Sequence, residues 1–244
     1  MSRLKGKTAV ITGGGTGIGL GAARRFVDEG AFVYLFGRRQ EQLDAAVAKL
    51  GKPARAVRGS VTDMADLDRL YVTVKTERGG LDILFANAGT GSFAPLGGIT
   101  PEQYDQTFDV NVKGLIFSVQ KGLPLMKAGG SIILTGSTTG EMGTPQFSIY
   151  SATKAAVRNL ARSWALDLKG TGIRVNVLSP GPTRTDLAFE VVGKEAFEAI
   201  GASTPLGRIG EPSETGAVAA FLASSDSSFM TGSEVFVDGG LAQV

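Results

Sequence analysis

The segment TAVITGGGTGIG, residues 8–19, decides the fold of this 244-residue chain. Thr8–Thr12 is short, apolar and β-branched, which predicts a buried strand, and a helical pattern covers Ile18–Glu29. The glycines between them have G-x-x-x-G-x-G spacing and stand at Gly13, Gly17 and Gly19. A glycine turn lets bare backbone approach a phosphate group, which the positive end of the following helix attracts. This context favours a dinucleotide-binding turn over glycines that serve only the turn itself.

Strand and helix patterns alternate along the rest of the chain. The further predicted strands are Phe32–Phe36, Ala54–Arg58, Leu81–Phe85, Ser131–Thr135, Ile173–Leu178 and Glu234–Val237. The further predicted helices are Gln40–Leu50, Met64–Glu77, Pro101–Met126, Ile149–Leu168 and Glu214–Leu222. This alternation predicts one α/β domain over residues 1–244, a Rossmann-type doubly wound fold with a seven-stranded parallel sheet flanked by helices. Residues 186–209 break the rhythm with a short amphipathic segment, Leu187–Ile200, and we interpret them as a mobile substrate flap.

The composition excludes several kinds of chemistry. The chain has no cysteine and no histidine, so we expect no disulfide framework, no thiolate nucleophile, no Ser-His-Asp triad and no catalytic zinc. Its formal net charge is +2 and its basic residues are scattered, so we expect no nucleic-acid partner. No apolar run approaches the ~18 residues of a membrane span. The N-terminus shows no signal-peptide pattern, and we expect a cytoplasmic protein without a membrane partner.

Tyr150 and Lys154 form a candidate acid/base pair. Four residues apart in a predicted helix, the two side chains lie on one face, where they either share a pocket or form an ordinary surface pair. A nearby lysine cation favours the phenolate, so we expect Lys154 to lower the pKa of Tyr150 from its usual value of about 10. Ser137 follows the apolar run Ile132–Leu134, at the carboxyl end of a strand, where open α/β sheets bind their ligands.

Two further positions suggest a site at the strand ends. Gly37-Arg38-Arg39 follows the second strand, where an acidic residue would suit the ribose 2′-hydroxyl of NAD. Two arginines instead suit the 2′-phosphate of NADP, the alternative being that both are only solvated. Asn111 is unfavourable inside a helix, so it either hydrogen-bonds locally or is placed for a site.

Together these motifs resemble those of the short-chain dehydrogenase/reductase family, from about Thr8 to the C-terminus. The resemblance is carried by Thr12-Gly13-x-x-x-Gly17-x-Gly19, Asn87-Ala88-Gly89, Asn111, Ser137, Tyr150-x-x-x-Lys154 and Pro180-Gly181. Each motif is modest alone, but in this order and spacing they are specific, and they favour a catalytic Tyr150 over a surface pair. The resemblance implies an oxidoreductase that uses NADP(H) to interconvert small-molecule ketones or aldehydes and alcohols.

The resemblance also implies a role for each matching residue. Tyr150 would donate or accept the proton, and Ser137 would hydrogen-bond the carbonyl oxygen. Lys154 would lower the pKa of Tyr150 and bind the nicotinamide ribose, and Asn111 would hold a water of a proton relay. The implied cofactor-binding residues are Gly13, Gly15, Thr16, Gly17, Ile18, Gly19, Arg38, Arg39, Ser60, Val61, Asn87, Ala88, Gly89, Tyr150, Lys154, Pro180, Gly181, Thr183 and Thr185.

The chain departs from the family pattern at two positions. Ser60 stands where an aspartate usually contacts adenine, and Ala86 stands where the family usually has an asparagine. Because family members are commonly tetramers, we expect a homotetramer. Its interfaces would use the helices over Pro101–Met126 and Ile149–Leu168 and the C-terminal strand. A structural cation near Gln243-Val244, as in some relatives, is an open alternative to a metal-free protein.

The motifs leave the substrate and two rival functions open. The predicted substrate pocket is mostly apolar and suits bulky or aromatic ketones. The alternative is that several of its residues pack in a subunit interface instead. The candidate pocket residues are Phe93, Thr139, Met142, Phe147, Leu187 and Phe189. A 3-oxoacyl thioester reductase would need a basic patch for an acidic carrier, and Lys127 and Lys169 are the candidates for it. A non-catalytic nucleotide sensor on this fold would be expected to lose a catalytic residue, whereas all four are present.

Overall fold

Seven parallel strands form one sheet in the computed structural model, which describes residues 2–244. The strands are β1 (Thr8–Thr12), β2 (Phe32–Gly37), β3 (Ala54–Arg58), β4 (Leu81–Ala86), β5 (Met126–Thr135), β6 (Arg174–Pro180) and β7 (Glu234–Val237). Their spatial order is β3-β2-β1-β4-β5-β6-β7. The chain therefore starts in the middle of the sheet, winds to one edge and then builds the other half, which makes the fold doubly wound. The predicted fold class is confirmed.

Helices cover both faces of the sheet. They are α1 (Gly17–Asp28), α2 (Gln40–Leu50), α3 (Met64–Arg78), α4 (Pro101–Phe108), α5 (Leu115–Gly122), α6 (Ser148–Asp167), α7 (Asp186–Val192), α8 (Lys194–Ala202) and α9 (Pro212–Ala223). Neighbouring strand residues face opposite layers: Ile11 packs in the same core as Phe26 of α1, whereas Val10 packs with Leu70 of α3 and Val157 of α6. Within residues 2–244 no helix is long and apolar enough to cross a membrane.

The carboxyl ends of the strands meet at one rim of the sheet. β1 ends directly before Gly13, β2 before Arg38, β4 before Asn87, and β5 two residues before Ser137. The Gly13 N–H donates to the Phe36 carbonyl at 2.8 Å, which joins the first two of these ends. Parallel strands thus gather residues that are far apart in the sequence.

The prediction of a single helix over Pro101–Met126 is wrong in two respects: the helical region is interrupted, and it ends before Met126. A π-helical turn, Asp109–Gly114, separates α4 from α5, and a 3-10 turn at Leu123–Leu125 ends the helical region. β5 then begins at Met126 rather than at the predicted Ser131. The early part of β5 contains two glycines and pairs irregularly with β4, and glycine weakens the strand pattern in the sequence.

Residues 186–209 form two helices rather than the single predicted amphipathic segment. α7 and α8 meet at Gly193, whose φ of +86° suits glycine alone. At the base of this region Thr183 and Gly210 form a parallel β-bridge, and Arg184 Nε donates to a Glu211 carboxylate oxygen at 2.8 Å. Both ends of the region are therefore fastened together next to β6.

Candidate active site

The four catalytic candidates lie together at the carboxyl rim. Tyr150 stands in the first turn of α6 and Lys154 one turn later. The 3-10 turn Thr138–Gly140, directly after Ser137, packs on this helix so closely that a Cβ at Gly140 would lie 3.0 Å from the Lys154 backbone. This packing brings the Ser137 hydroxyl next to the Tyr150 side chain, where it favours the phenolate. The fourth candidate, Asn111, approaches the same point from the π-helical turn.

Lys154 is a buried cation held by the main chain. The residue is only 3% exposed, and its Nζ donates to the Thr135 carbonyl at 2.9 Å and lies 5.3 Å from the centre of the Tyr150 ring. Burial lowers the pKa of Lys154 to about 8, because the charged form loses hydration. The ammonium is therefore still mostly charged at neutral pH, next to the phenol.

The expectation that the pKa of Tyr150 lies below its usual value is wrong for this arrangement. Burial raises the pKa of Tyr150 to about 12, and the neighbouring Ser137 hydroxyl, which favours the phenolate, offsets only part of this rise. The expected fall rested on the charge of the lysine alone. Loss of hydration around the buried phenol acts in the opposite direction, because it disfavours the charged phenolate. The phenol therefore keeps its proton through the neutral range, which suits a proton donor.

Asn111 links the loop after β4 to the helix that carries Tyr150. Its Oδ1 accepts from the Thr90 N–H at 2.8 Å, and its Nδ2 donates to the Thr90 carbonyl at 2.8 Å and to the Thr153 hydroxyl at 3.1 Å. A Cβ placed on Gly89 would lie 3.5 Å from Asn111 Oδ1 and 3.7 Å from the Lys154 ammonium. Asn111 is thus hydrogen-bonded locally and also lies at the site, as π-helical turns often do.

The glycine turn after β1 fits the pyrophosphate of a dinucleotide. Gly13 has a φ of +66°, and a Cβ on Gly19 would collide with the Gly13 carbonyl, so both positions need glycine. Thr16 precedes α1 without capping it by its side chain, which leaves first-turn N–H groups free to bind an anion. Gly15 and Ile18, in the same turn, are partly exposed.

Asn87 fixes the crevice beside this turn. Its Nδ2 donates to the Thr12 carbonyl at 3.0 Å and to the Gly13 carbonyl at 3.3 Å. The Thr12 hydroxyl in turn accepts from the N–H groups of Asn87 and Ala88, both at 3.0 Å. The ends of β1 and β4 are therefore locked side by side, with Gly89 continuing toward Lys154.

The ends of β2 and β3 carry the arginines. Arg38 and Arg39 are exposed, and neither is paired with a carboxylate within the described residues 2–244. Arg58, which ends β3, joins them, because its Nε donates to the Arg38 carbonyl at 3.3 Å. A group of guanidinium ions beside a dinucleotide-binding turn fits the 2′-phosphate of NADP.

The loop after β3 shows how the departure at Ser60 is accommodated. The Ser60 N–H donates to Asp66 at 2.8 Å, and the Ser60 and Thr62 hydroxyl groups hydrogen-bond to each other at 2.8 Å. Val61 is buried and packs on Gly114, where a Cβ would lie 2.7 Å from it. The loop therefore has a defined shape, with hydroxyl groups where the family usually has a carboxylate.

The end of β6 forms the other wall of the crevice. Pro180 ends the strand, and the Thr183 hydroxyl donates to the Gly181 carbonyl at 3.1 Å. Thr185 caps α7 with its hydroxyl, and its methyl group covers Gly17, where a Cβ would lie 2.9 Å away. The start of the 186–209 region thus lies over the glycine turn.

Two of the six pocket candidates contact the catalytic groups, and a third, Phe93, stacks on one of those two. The Phe147 ring stacks on the Tyr150 ring with centres 4.4 Å apart, Phe93 stacks on Phe147 at the same distance, and the Thr139 hydroxyl hydrogen-bonds Ser137 at 3.1 Å. The other three lie apart from these groups. Met142 and Leu187 are exposed, and Phe189 packs edge-on against Phe197 and beside Arg184.

Sequence reasoning missed Thr90, Gly91 and Thr135. A Cβ on Gly91 would lie only 2.6 Å from a Tyr150 ring carbon, so its lack of a side chain makes room for the tyrosine. Its position just after Asn87-Ala88-Gly89 could have suggested this. Thr90 and Thr135 act through backbone groups, for which the residue type gives no signal.

A large cavity lies apart from the four catalytic candidates. It measures about 450 Å³ and lies between Thr183, Leu206, Phe236 and Asp238. None of the four catalytic candidates lines it. We therefore locate the active site by the convergence of Tyr150 and its neighbours and not by cavity size.

Two solved structures with this fold are named as reductases. The structure described as "Crystal Structure of Levodione Reductase" superposes with a TM-score of 0.94 at 29% identity, covering 98% of each chain. A 3-ketoacyl-(acyl-carrier-protein) reductase from Brucella melitensis, complexed with NADH, has a TM-score of 0.91 at 31% identity and covers 98% of this chain and 99% of its own.

Sequence comparisons identify the family. The family model described as "Enoyl-(Acyl carrier protein) reductase" matches residues 13–242. "Oxidoreductase asL5" of Sarocladium schorii is 63% identical over 246 residues, covering 100% of this chain and 99% of the relative. The "NADP-dependent (R)-specific alcohol dehydrogenase" of Lentilactobacillus kefiri is 37% identical over 98% of this chain and 97% of its own length. The chain belongs to the short-chain dehydrogenase/reductase family, and it is an oxidoreductase of that family.

Proposed function

We propose that the protein interconverts ketones or aldehydes and alcohols by hydride transfer, with NADP(H) as cofactor. The observation that carries this proposal is the convergence of Ser137, Tyr150, Lys154 and Asn111 at the rim that also holds the glycine turn. A nicotinamide dinucleotide supplies the hydride when it is bound. The proton, the stabilisation of the developing charge and the positioning of the reacting groups are proposed to come from side chains of this protein.

Tyr150 is proposed to give its proton to the substrate oxygen during reduction. Its raised pKa keeps the proton on the phenol at neutral pH, so a donor is always present. Ser137 is proposed to hydrogen-bond the same oxygen as negative charge develops on it. The Lys154 ammonium, 5.3 Å from the ring centre, would then stabilise the phenolate, and Asn111 would lead to the water from which the phenol regains its proton.

The choice of NADP(H) is supported by Arg38, Arg39 and Arg58. Their guanidinium groups would meet a 2′-phosphate with charge-assisted hydrogen bonds, whereas NAD offers only a hydroxyl there. Relatives do not decide the matter, since one is named NADP-dependent and another was crystallised with NADH.

The reduction of 3-oxoacyl thioesters on a carrier protein is the second candidate. The Brucella reductase favours it, and the description of the matching family model names a different reduction, that of an enoyl group, on the same kind of carrier. The two lysines expected to form its basic patch lie away from the pocket. Lys127 is at the start of β5 and Lys169 just beyond the end of α6, both at the amino edge of the sheet and opposite Tyr150. Their position supports simple carbonyl compounds as the proposed substrates.

A substrate panel separates the two candidates. Purified protein would be given NADPH with bulky and aromatic ketones, aldehydes and 3-oxoacyl thioesters, and NADPH consumption would be followed by absorbance. We expect turnover of ketones or aldehydes. Strong turnover of thioesters with no activity on simple carbonyls would favour the second candidate. A protein that binds NADPH but reduces none of these compounds would favour a nucleotide sensor.

We further propose a homotetramer in solution. β7 is an edge strand whose four residues are all partly exposed, and Leu166 of α6 is 77% exposed. Unpaired strand edges and exposed leucines commonly lie in subunit contacts. Light scattering coupled to size-exclusion chromatography would test this proposal, and a mass near that of one 25.3 kDa chain would reject it.

A further inference from the structure

Three aromatic rings form a column that ends on Tyr150. Phe93 and Phe147 are stacked with their ring centres 4.4 Å apart and their planes inclined by 22°. Phe147 and Tyr150 repeat this geometry at 4.4 Å and 21°. We name these three rings the aromatic column. Phe147, in its middle, touches the tyrosine, whereas Phe93 reaches it only through Phe147.

Both loops beside the site hold the column in place. The Ala94 N–H donates to the Gln146 carbonyl at 2.8 Å, which joins the residues next to Phe93 and Phe147. Gln146 has a φ of +60°, a conformation that is unusual for a residue with a side chain and that is found where a site demands it. Gln103 of α4 also fastens Ser92, donating to its carbonyl and hydroxyl, both at 3.0 Å.

The tyrosine ring is confined on more than one side. Phe147 covers one face, and Gly91 lies so close to the ring edge that a Cβ there would be 2.6 Å from a ring carbon. Phe147 is itself the residue before α6, and its carbonyl accepts from the Ser151 N–H at 3.0 Å. Neither Phe93 nor Phe147 has a polar group that could take part in proton transfer.

We propose that Phe147 is a positioning residue, which holds the Tyr150 ring in the orientation needed for proton transfer, and that Phe93 supports it from the solvent side. This inference deepens the proposed function and rests on the assignment of Tyr150 as proton donor. A displacement of about 1 Å in a reacting group can cost up to a hundredfold in rate, so a loosened ring should lower kcat.

The orientation of the ring can be tested without any turnover. The chain has four tyrosines, so protein labelled with ¹³C in tyrosine rings gives few signals, and Tyr150→Phe identifies those of Tyr150. In the wild type we expect separate signals for the two edges of a slowly flipping Tyr150 ring. Phe147→Leu should merge or broaden them, while the signals of Tyr34 and Tyr71 stay unchanged and report an intact fold. Unchanged Tyr150 signals in Phe147→Leu would overturn the proposal.

Kinetics test the consequence for catalysis. Phe147→Leu should lower kcat by about tenfold to a hundredfold while the Kd for NADPH stays within twofold, and Phe147→Tyr, which keeps a ring, should restore kcat. Phe93→Leu should have a smaller effect than Phe147→Leu, and Phe229→Leu, at a fully exposed position, serves as the matched control. Wild-type kcat in Phe147→Leu, or no rescue by Phe147→Tyr, would contradict the proposal. If the wild type reduces no carbonyl compound but the ring signals respond as expected, the proposed function fails and the positioning by Phe147 stands.

Discussion

The site has two regions that are built in different ways. In the catalytic corner, Lys154 is buried and donates to the Thr135 carbonyl, and Tyr150 is partly buried next to Ser137 and stacked on Phe147. At the arginine rim, formed by Arg38, Arg39 and Arg58, the charged groups are exposed and pair with no carboxylate among residues 2–244. The protein's own contacts fix the groups of the catalytic corner, whereas a bound ligand must order the side chains of the arginine rim. We therefore expect the catalytic corner to control the rate of the reaction and the arginine rim to control the choice of cofactor.

The largest expected effect comes from the catalytic corner. Tyr150→Phe removes the proposed proton donor but keeps the ring that stacks on Phe147. We expect kcat to fall by about 100-fold to 10,000-fold, the usual contribution of a general acid, with little change in NADPH binding. Steady-state rates and a fluorescence titration with NADPH measure the two quantities. Substantial activity in the purified variant would remove Tyr150 from the mechanism.

The next largest effect is expected at the arginine rim. Arg38→Ala should weaken NADPH binding by about tenfold to a hundredfold, the equivalent of roughly 1.5–3 kcal/mol for a charge-assisted contact, and should change NADH binding little. Gly37→Asp combined with Arg38→Ala should move the preference toward NADH, since a carboxylate repels the phosphate and accepts the 2′-hydroxyl. The values of kcat/KM for both cofactors test this expectation, and Arg55→Ala, whose arginine pairs with Glu77, is the control. A wild type that already prefers NADH would show that the arginines only face solvent.

A smaller effect concerns the stability cost of the buried lysine. Because its folded-state pKa is lowered, the folded chain binds fewer protons than the unfolded chain between about pH 8 and the usual lysine pKa near 10.4. The wild type should therefore gain stability relative to Lys154→Met as pH rises through this window. We expect the difference in Tm to change by roughly 5–10 °C, the effect of about 2.5 kcal/mol in a chain of this size. Parallel melting curves at pH 7 and pH 10 measure it. A constant difference would mean that Lys154 is not desolvated.

No effect is expected from metal removal. The chain has no histidine or cysteine, and residues 2–244 contain no cluster of three or more acidic side chains suited to a metal ion. Chelator treatment should leave kcat unchanged. Activity that is lost with a chelator and restored by zinc would contradict the proposed chemistry. A change in oligomeric mass alone would instead favour a structural cation near Gln243-Val244.

The sequence predicts those features that depend on spacing along the chain. The glycines of the turn after β1 and the Tyr150–Lys154 pair on one helix face are examples, because helix and strand periodicity place them. The doubly wound parallel sheet followed from the alternation of strand and helix patterns. These local rules were sufficient to predict that the catalytic candidates lie together at the carboxyl rim of the sheet.

Features set by tertiary packing could not be predicted in this way. The pKa of Tyr150 depends on how deeply the phenol is buried, which no spacing reveals, and the expected sign was wrong. The π-helical turn that contains Asn111, and the three hydrogen bonds of Asn111 with Thr90 and Thr153, have no signal in the local sequence. The stacking of Phe93 on Phe147 likewise depends on two loops that are far apart in the sequence. The predicted roles of the cofactor and pocket residues stay predictions.

One measurement tests the division between the two regions most directly. Single-turnover reduction of a ketone would be followed by stopped-flow absorbance over a range of NADPH concentrations for the wild type, Tyr150→Phe and Arg38→Ala. This experiment separates the rate at saturating cofactor from the apparent Kd. We expect Tyr150→Phe to lower the saturating rate at an unchanged Kd, and Arg38→Ala to raise the Kd at an unchanged saturating rate. If Arg38→Ala lowers the saturating rate, or if Tyr150→Phe alters only the Kd, the two regions do not have the separate roles proposed here.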